Sequence, residues 1–251
     1  MVAQHPHLAS SPFSYCHIDE IDEMSKRWRV TVDWSGPQAA LDHFMDRADT
    51  GLLQDGSELV VNPVEFQECS NAGAVNLLAI QIIQKSMLVA AFLSPGLSLR
   101  IKAIEDLAAG TPSAQYVFAD AIDGLGISSF FYAEAYDAEG NKIPPARWPR
   151  HVLAQPVVSH ALEILANLRK GDWAGLFKVI ELIQDDRAPL AEWQMKTKLE
   201  KISHYANSPA AAGKGARHAV QKGSAPSKKM TYEEASNTVR EAVYRWIDWK
   251  C

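Results

Sequence analysis

Three short stretches near the C-terminus organise the second half of the chain. They read His204-Tyr205-Ala206-Asn207-Ser208-Pro209, Gly215-Ala216-Arg217-His218-Ala219 and Met230-Thr231-Tyr232-Glu233-Glu234-Ala235. The first stretch ends a helical pattern at a proline. The third starts another, because a threonine followed three residues later by a glutamate is the signature of a capping box. The middle stretch therefore lies in a loop between two helices, where binding and catalytic residues tend to concentrate.

Amphipathic helices are predicted throughout the chain after residue 156. Apolar residues recur every three or four positions over 158–168, 173–183, 188–206 and 235–249. Asp172 is placed to cap the second of these helices, and Pro209 ends the third. Four such helices with short connections predict a bundle over residues 156–251.

Before residue 150 the sequence mixes strand and helix patterns. Alternation over 27–34 predicts a half-buried strand, and 57–62 predicts a second, with a short helix at 38–48 between them. The apolar run 72–93 predicts a buried helix rather than a bilayer-spanning one, with a narrow polar stripe of Gln81, Gln84 and Lys85. A strand over 87–93 is an open alternative. The spacing of apolar residues over 97–108 predicts another helix.

Further strand signals precede a proline-rich connection. Aromatic-rich runs at 116–122 and 127–136 flank Asp123-Gly124-Leu125-Gly126 and predict a hairpin, and a short strand is expected at 142–143. Pro144, Pro145 and Pro149 then stiffen the chain. Together the patterns predict an α+β protein in three parts. These are an N-terminal arm (1–25), an α+β domain with a small, mostly antiparallel sheet (26–150), and the bundle (156–251).

The charge is unevenly distributed along a chain of ordinary globular composition. Of 251 residues, 47% are hydrophobic and 22% are charged, and the formal net charge is -5. Residues 196–251 nevertheless hold 11 Lys and Arg against 5 Asp and Glu. A basic end on an acidic body is typical of a protein with an anionic partner such as RNA. The alternative is that these cations decorate solvated helix faces or meet acidic groups of this chain or of another copy.

Arg217 and His218 are the strongest candidates for chemistry. A guanidinium holds phosphate with a fixed charge, and an imidazole exchanges protons near neutral pH, so the pair could act on an RNA backbone. His204, at the end of its helix, is a second candidate catalytic residue. The structural alternative is that Arg217 pairs with a carboxylate of a neighbouring helix while His218 packs beneath the loop. Candidate phosphate-binding lysines surround the pair: Lys214, Lys222, Lys228 and Lys229.

The order of these features resembles the C-terminal helical part of HEPN-type proteins. It runs from a helix through Asn207-Ser208-Pro209 and the 215–219 stretch to a Gly/Pro/Lys linker, the 230–235 stretch and a final helix rich in tryptophan. It is also similar to uncharacterised bacterial proteins named for a methylamine-utilisation accessory protein. The resemblance covers residues 156–251. It implies an RNA-binding protein or ribonuclease of a bacterial defence or stress system, acting as a homodimer with Arg217 and His218 facing a groove. HEPN ribonucleases separate their arginine and histidine by several residues, whereas these two are adjacent.

No cofactor or metal is expected, and the default compartment is the cytoplasm. The three cysteines have no zinc-site spacing, His5, His7 and His17 are irregularly placed, and no secretory leader pattern precedes them. Walker A, HExxH, serine-elbow and paired-carboxylate motifs are missing from the sequence. A second hypothesis is therefore a non-catalytic accessory or scaffold protein. In it the 215–219 loop holds the bundle together and the β part binds a protein partner through aromatic residues: Phe130, Phe131, Tyr132 and Tyr136.

Overall fold

The computed structural model describes residues 27–109, 115–116, 135–136, 142–143, 147–220, 224–227 and 229–251. The predicted N-terminal arm and the predicted turn at 123–126 lie outside these residues, as do Phe130, Phe131 and Tyr132. The architecture is α+β, as predicted: an antiparallel sheet is followed by a largely helical C-terminal region.

The sheet is built around its first strand, β1 (Trp28–Ser35). The strand order is β2–β3–β1–β4–β5, with β2 at Leu52–Asp55, β3 at Glu58–Val61, β4 at Ser98–Asp106 and β5 at Gln115–Tyr116. All pairings are antiparallel. The expected strand at 142–143 is confirmed as β7 (Lys142–Ile143), which pairs with β6 (Ala135–Tyr136). Val30 and Val32 are buried, as alternation predicts, and Thr31 is also buried where the β1–β4 register shifts.

The helix predicted over 97–108 is wrong, because this segment is strand β4. Leu99, Ile101 and Ala103 alternate with exposed Arg100 and Lys102, and this period of two competed with the helical spacing. Pairing with β1 along its whole length decides between the two periods. Strand β2 was missed altogether, although the Asp-Gly turn that joins it to β3 is a strong hairpin signal.

The helices are mostly where the sequence predicts them. In order they are α1 (Gln38–Arg47), α2 (Ala72–Leu93), α3 (Arg150–Leu153), α4 (Pro156–Asn167), α5 (Trp173–Asp185), α6 (Lys196–Ala206), α7 (Pro209–Ala212) and α8 (Tyr232–Lys250). Because α2 is continuous to Leu93, the alternative of a strand over 87–93 is wrong. The Asp172 cap is confirmed by a 2.8 Å bond from the backbone N–H of Gly175, and both arms of the Thr231 capping box are present.

The third helix of the bundle is shorter than predicted. It begins at Lys196 rather than near 188, because the preceding segment forms turns. Arg187 and Gln194 have positive φ values of 58° and 56°, which a helix interior does not accept, and Pro189 has no N–H to donate. Trp249 meets Trp193 of this segment edge-on, with 6.4 Å between ring centres, and is 48% exposed rather than part of the buried stripe of α8.

Buried side chains of the sheet and of the helical region form one continuous hydrophobic core, which runs from Val30 of β1 to Trp246 of α8. A fully buried arginine, Arg47 of α1, joins the two regions. Its guanidinium lies 4.8 Å from the ring centre of Trp148 and 4.6 Å from that of Tyr244 in α8. It also pairs with Asp248, which accepts a 2.7 Å hydrogen bond from Trp148 Nε1. The division into domains near residue 150 stays a prediction.

Helix α2 is the one helix in the described residues that is long and apolar enough to cross a membrane. Half of its most apolar window is buried inside the fold, and it packs against β4 and α4. This is the pattern of a core helix, as the polar stripe of Gln81, Gln84 and Lys85 predicts.

Candidate nucleic-acid interface

The loop that carries Arg217 is packed tightly against the start of α5. A Cβ atom built on Gly215 would lie 1.8 Å from the carbonyl oxygen of Gly171, so only glycine fits at this approach. The backbone N–H of Arg217 donates to the carbonyl of Ala206, the last residue of α6, at 2.8 Å. The loop is therefore fixed at both sides by backbone contacts.

Aromatic residues beneath the loop bring its two ends together. The ring of Trp173 stacks on Tyr205 of α6 at 4.9 Å and meets Tyr232 of α8 edge-on at 5.6 Å. The hydroxyl of Tyr205 accepts a 3.2 Å hydrogen bond from the backbone N–H of Met230. Burial raises the pKa of Tyr232 to about 12. The start of α5, the end of α6 and the start of α8 thus meet at Tyr205.

The guanidinium of Arg217 lies over α5. Its central carbon is 4.2 Å from the ring centre of Phe177, and Nη2 is 3.5 Å from Oε1 of Glu181. The two charged side chains are 41% and 45% exposed. A carboxylate of a neighbouring helix therefore holds Arg217, which is the contact expected from the structural alternative. An exposed ion pair contributes only about 0.2–1 kcal/mol, so a phosphate could displace Glu181.

The two candidate histidines have different surroundings. His218 is half-buried, whereas His204 is exposed on the last turn of α6 with Nε2 3.1 Å from the carbonyl oxygen of Ser224. Among the hydrogen bonds and ion pairs of the described residues, none joins either histidine to Arg217. The structure thus places the three predicted catalytic residues around one loop without linking them as a catalytic pair.

The lysines predicted to surround Arg217 are exposed where the structure describes them. Lys214 and Lys229 are exposed, whereas Lys222 and Lys228 lie outside the described residues. Two further lysines, Lys198 and Lys201, were not predicted as site residues. With His204 they have the i, i+3, i+6 spacing of one stripe along the exposed side of α6. That spacing was the sequence signal that could have found them. We call Lys198, Lys201, His204, Lys214 and Lys229 the basic face.

Contacts through Tyr205 link the parts of the basic face. Lys229 precedes Met230, which is bonded to the Tyr205 hydroxyl, and Lys214 precedes Gly215, which packs against Trp173. None of the lysines of the basic face has a carboxylate oxygen within 4.0 Å in the part of the chain that the structure describes. Glu200 is the one acidic residue of α6. Among the described residues these cations are therefore not neutralised by an ion pair.

The three basic residues of α8 are already occupied. Arg240 is buried, Arg245 pairs with Glu241 at 2.9 Å, and Lys250 pairs with Asp186 at 2.5 Å.

Comparisons with protein-family models, with curated proteins and with solved structures find no match for this chain. Within the described residues, no group of three or more His, Cys, Asp or Glu side chains is placed to hold a metal ion. The site is thus described by its exposed basic side chains.

Proposed function

We propose that this protein binds single-stranded RNA through the basic face. The observation that carries the proposal is a set of exposed lysines on α6 and on the loop that follows it, none of which forms an ion pair with a carboxylate that the structure describes. Lysines that are free of carboxylates can neutralise phosphates and release their counterions, which is the main source of affinity for nucleic acids. The resemblance of residues 156–251 to HEPN-type proteins points to the same class of ligand.

In this proposal the main role of Arg217 is to position the loop. Its contacts with Phe177 and Glu181, and the bond from its backbone N–H to Ala206, fix the segment that carries Lys214. The biological setting that we propose is a homodimer in the bacterial cytoplasm, acting in defence or in a stress response.

A direct test compares two substitutions that change the charge equally. Lys201→Glu alters the basic face, and Lys85→Glu alters an exposed lysine of α2. Loss of one phosphate contact should weaken binding of a fluorescent single-stranded RNA roughly tenfold at low salt, by fluorescence anisotropy. Lys85→Glu should leave the affinity within about twofold of wild type, since it removes none of the phosphate contacts of the basic face. Equal losses for both variants would contradict binding at the basic face.

A complete lack of binding by the wild-type protein at low salt would favour the accessory function instead. In that case the loop serves only to hold the helices, and a protein partner is the ligand to seek.

Cleavage of RNA is a second candidate function, favoured by the exposure of Arg217 and by the weakness of its ion pair. Catalysis requires the guanidinium to leave Glu181 and His218 to reach the same phosphate. Wild-type protein should then cleave a labelled RNA, with a loss of at least about a hundredfold in Arg217→Ala and in His218→Ala. Equal activity in wild type and both variants would exclude these residues as catalytic.

A further inference from the structure

The ion pair between Arg217 and Glu181 is loose and is open to solvent. Nη2 of Arg217 lies 3.5 Å from Oε1 of Glu181, and the two side chains are 41% and 45% exposed. A tight charge-assisted hydrogen bond between a guanidinium and a carboxylate is shorter, at about 2.7–2.9 Å. An anion that reaches the guanidinium therefore displaces the carboxylate at small cost.

The position of Arg217 does not depend on Glu181. The central carbon of the guanidinium lies 4.2 Å from the ring centre of Phe177, and the backbone N–H donates to the carbonyl of Ala206 at 2.8 Å. Neither contact involves the carboxylate. The guanidinium therefore keeps its place, with its N–H donors exchanged to water, when Glu181 loses its charge.

Arg217 adjoins the basic face. It follows Lys214 by three residues, and Ala206, to which its backbone is bonded, lies two residues after His204. A strand of RNA held by the lysines of the basic face therefore brings further phosphates to Arg217 at a high effective concentration.

The charges immediately around Arg217 nevertheless cancel. Lys178 lies three residues before Glu181 on α5 and Asp185 lies four residues after it, and all three line one groove between α4 and α5. Arg217 and Lys178 thus face two carboxylates. An anion gains no net attraction here while Glu181 is charged, whereas neutralising Glu181 leaves an excess of one positive charge.

We propose that Glu181 is an internal competitor for Arg217, which lowers the affinity of the protein for single-stranded RNA. The inference rests on the proposed RNA-binding function and adds a self-inhibitory contact to it. The carboxylate of Glu181 occupies the guanidinium in the free protein. A phosphate of a strand already anchored on the basic face must displace that carboxylate before Arg217 contributes to binding.

The test measures binding of a fluorescent single-stranded RNA to the whole protein by anisotropy at low salt. Glu181→Gln keeps the shape of the side chain and removes its charge, and it should bind about two- to fivefold more tightly than wild type, which is the effect of one exposed ion pair. The matched control is Asp185→Asn, which removes the same charge from an exposed residue of the same helix. Its affinity should stay within about 1.5-fold of wild type, because it frees no cation for phosphate.

A second arm repeats the comparison without the guanidinium. In Arg217→Gln the additional change Glu181→Gln should leave the affinity unchanged, because the two residues act through their mutual contact. Equal gains for Glu181→Gln and Asp185→Asn, or the same gain with and without Arg217, would overturn the inference by showing a general effect of net charge.

Failure of the inference is distinguishable from failure of the proposed function. If wild type binds RNA and Lys201→Glu weakens binding, but Glu181→Gln binds no more tightly than wild type, the inference is overturned and the proposed function stands. If wild type does not bind RNA at low salt, the proposed function fails and the inference fails with it.

Discussion

Replacing Arg240 with methionine should unfold this protein at markedly lower denaturant concentration. Arg240 is 6% exposed and reaches from α8 to the C-terminal end of α2. Its Nη2 donates to the carbonyl oxygens of Ala91 and Phe92 at 3.1 and 3.0 Å. The normal helical donor to Ala91 would be residue 95, which is a proline and has no N–H. Arg240 therefore supplies hydrogen bonds that the end of the helix cannot make for itself.

The magnitude follows from those two carbonyls. A buried acceptor left without a donor costs about 1–3 kcal/mol, so two cost about 2–6 kcal/mol before any relaxation. Removal of a buried charge offsets part of this cost. Burial lowers the pKa of Arg240 to about 10, so the guanidinium is still charged at neutral pH and bears that penalty. We expect Arg240→Met to lower the free energy of unfolding by about 2–4 kcal/mol.

The matched control is Arg245→Met, the same change on the same helix. Arg245 is 45% exposed and pairs with Glu241 one turn earlier in α8. Arg245→Met should therefore lower the free energy of unfolding by about 0.5 kcal/mol or less. Urea unfolding followed by tryptophan fluorescence measures both variants against wild type. If the two variants lost the same stability, or if Arg240→Met were more stable than wild type, the assignment of Arg240 as the cap of α2 would be wrong.

Four other changes test the packing around the loop. Gly215→Ala should destabilise the fold by more than about 2 kcal/mol, because its methyl group would overlap the carbonyl of Gly171. Gly213→Ala, where space is open but the backbone (φ 60°, ψ -136°) is one that glycine adopts far more readily than alanine, should also lose about 1–3 kcal/mol in the same thermal melts. Tyr232→Phe removes a buried hydroxyl that has no hydrogen-bond partner among the described residues, so stability at neutral pH should be unchanged or higher. The raised pKa keeps Tyr232 protonated in the folded protein, whereas in the unfolded chain its hydroxyl ionises near pH 10. The wild-type protein should therefore lose stability relative to Tyr232→Phe as the pH rises from 10 to about 12. Thr231→Ala removes the capping box of α8 and should cost about 1 kcal/mol by urea unfolding.

The helical half of the fold could be predicted because its signals are local. Asp172 and Thr231 cap helices by bonding to backbone groups three residues away, and apolar spacing alone marks the buried sides of α4 and α5. Strand β4 was harder to predict from the sequence. Its apolar residues satisfy both a period of two and a helical spacing, and only the neighbouring strand β1 decides between them.

The interactions that join distant segments had no sequence signal. Arg47 meets Asp248 and Arg240 meets Phe92 across 201 and 148 positions of the chain, so nothing near either arginine marks it as buried. The same limit applies to the site. The sequence left open whether Arg217 pairs with a carboxylate, and the fold brings Glu181 to it. The polar stripe on α2 was visible in the sequence, whereas the residues of α3 and α4 that line a cavity with it could not be assigned to that cavity from the sequence.

The most direct measurement of the central claim is the salt dependence of RNA binding. Affinity of the wild-type protein for a single-stranded RNA is measured over a series of salt concentrations, alongside Lys201→Glu. Binding through the basic face predicts a slope of log K against log salt of about -2 to -3, since each phosphate contact contributes about -0.7. Lys201→Glu should reduce the steepness by about 0.7 or more. A slope near zero for wild type, or the same slope for the variant, would contradict RNA binding at this surface.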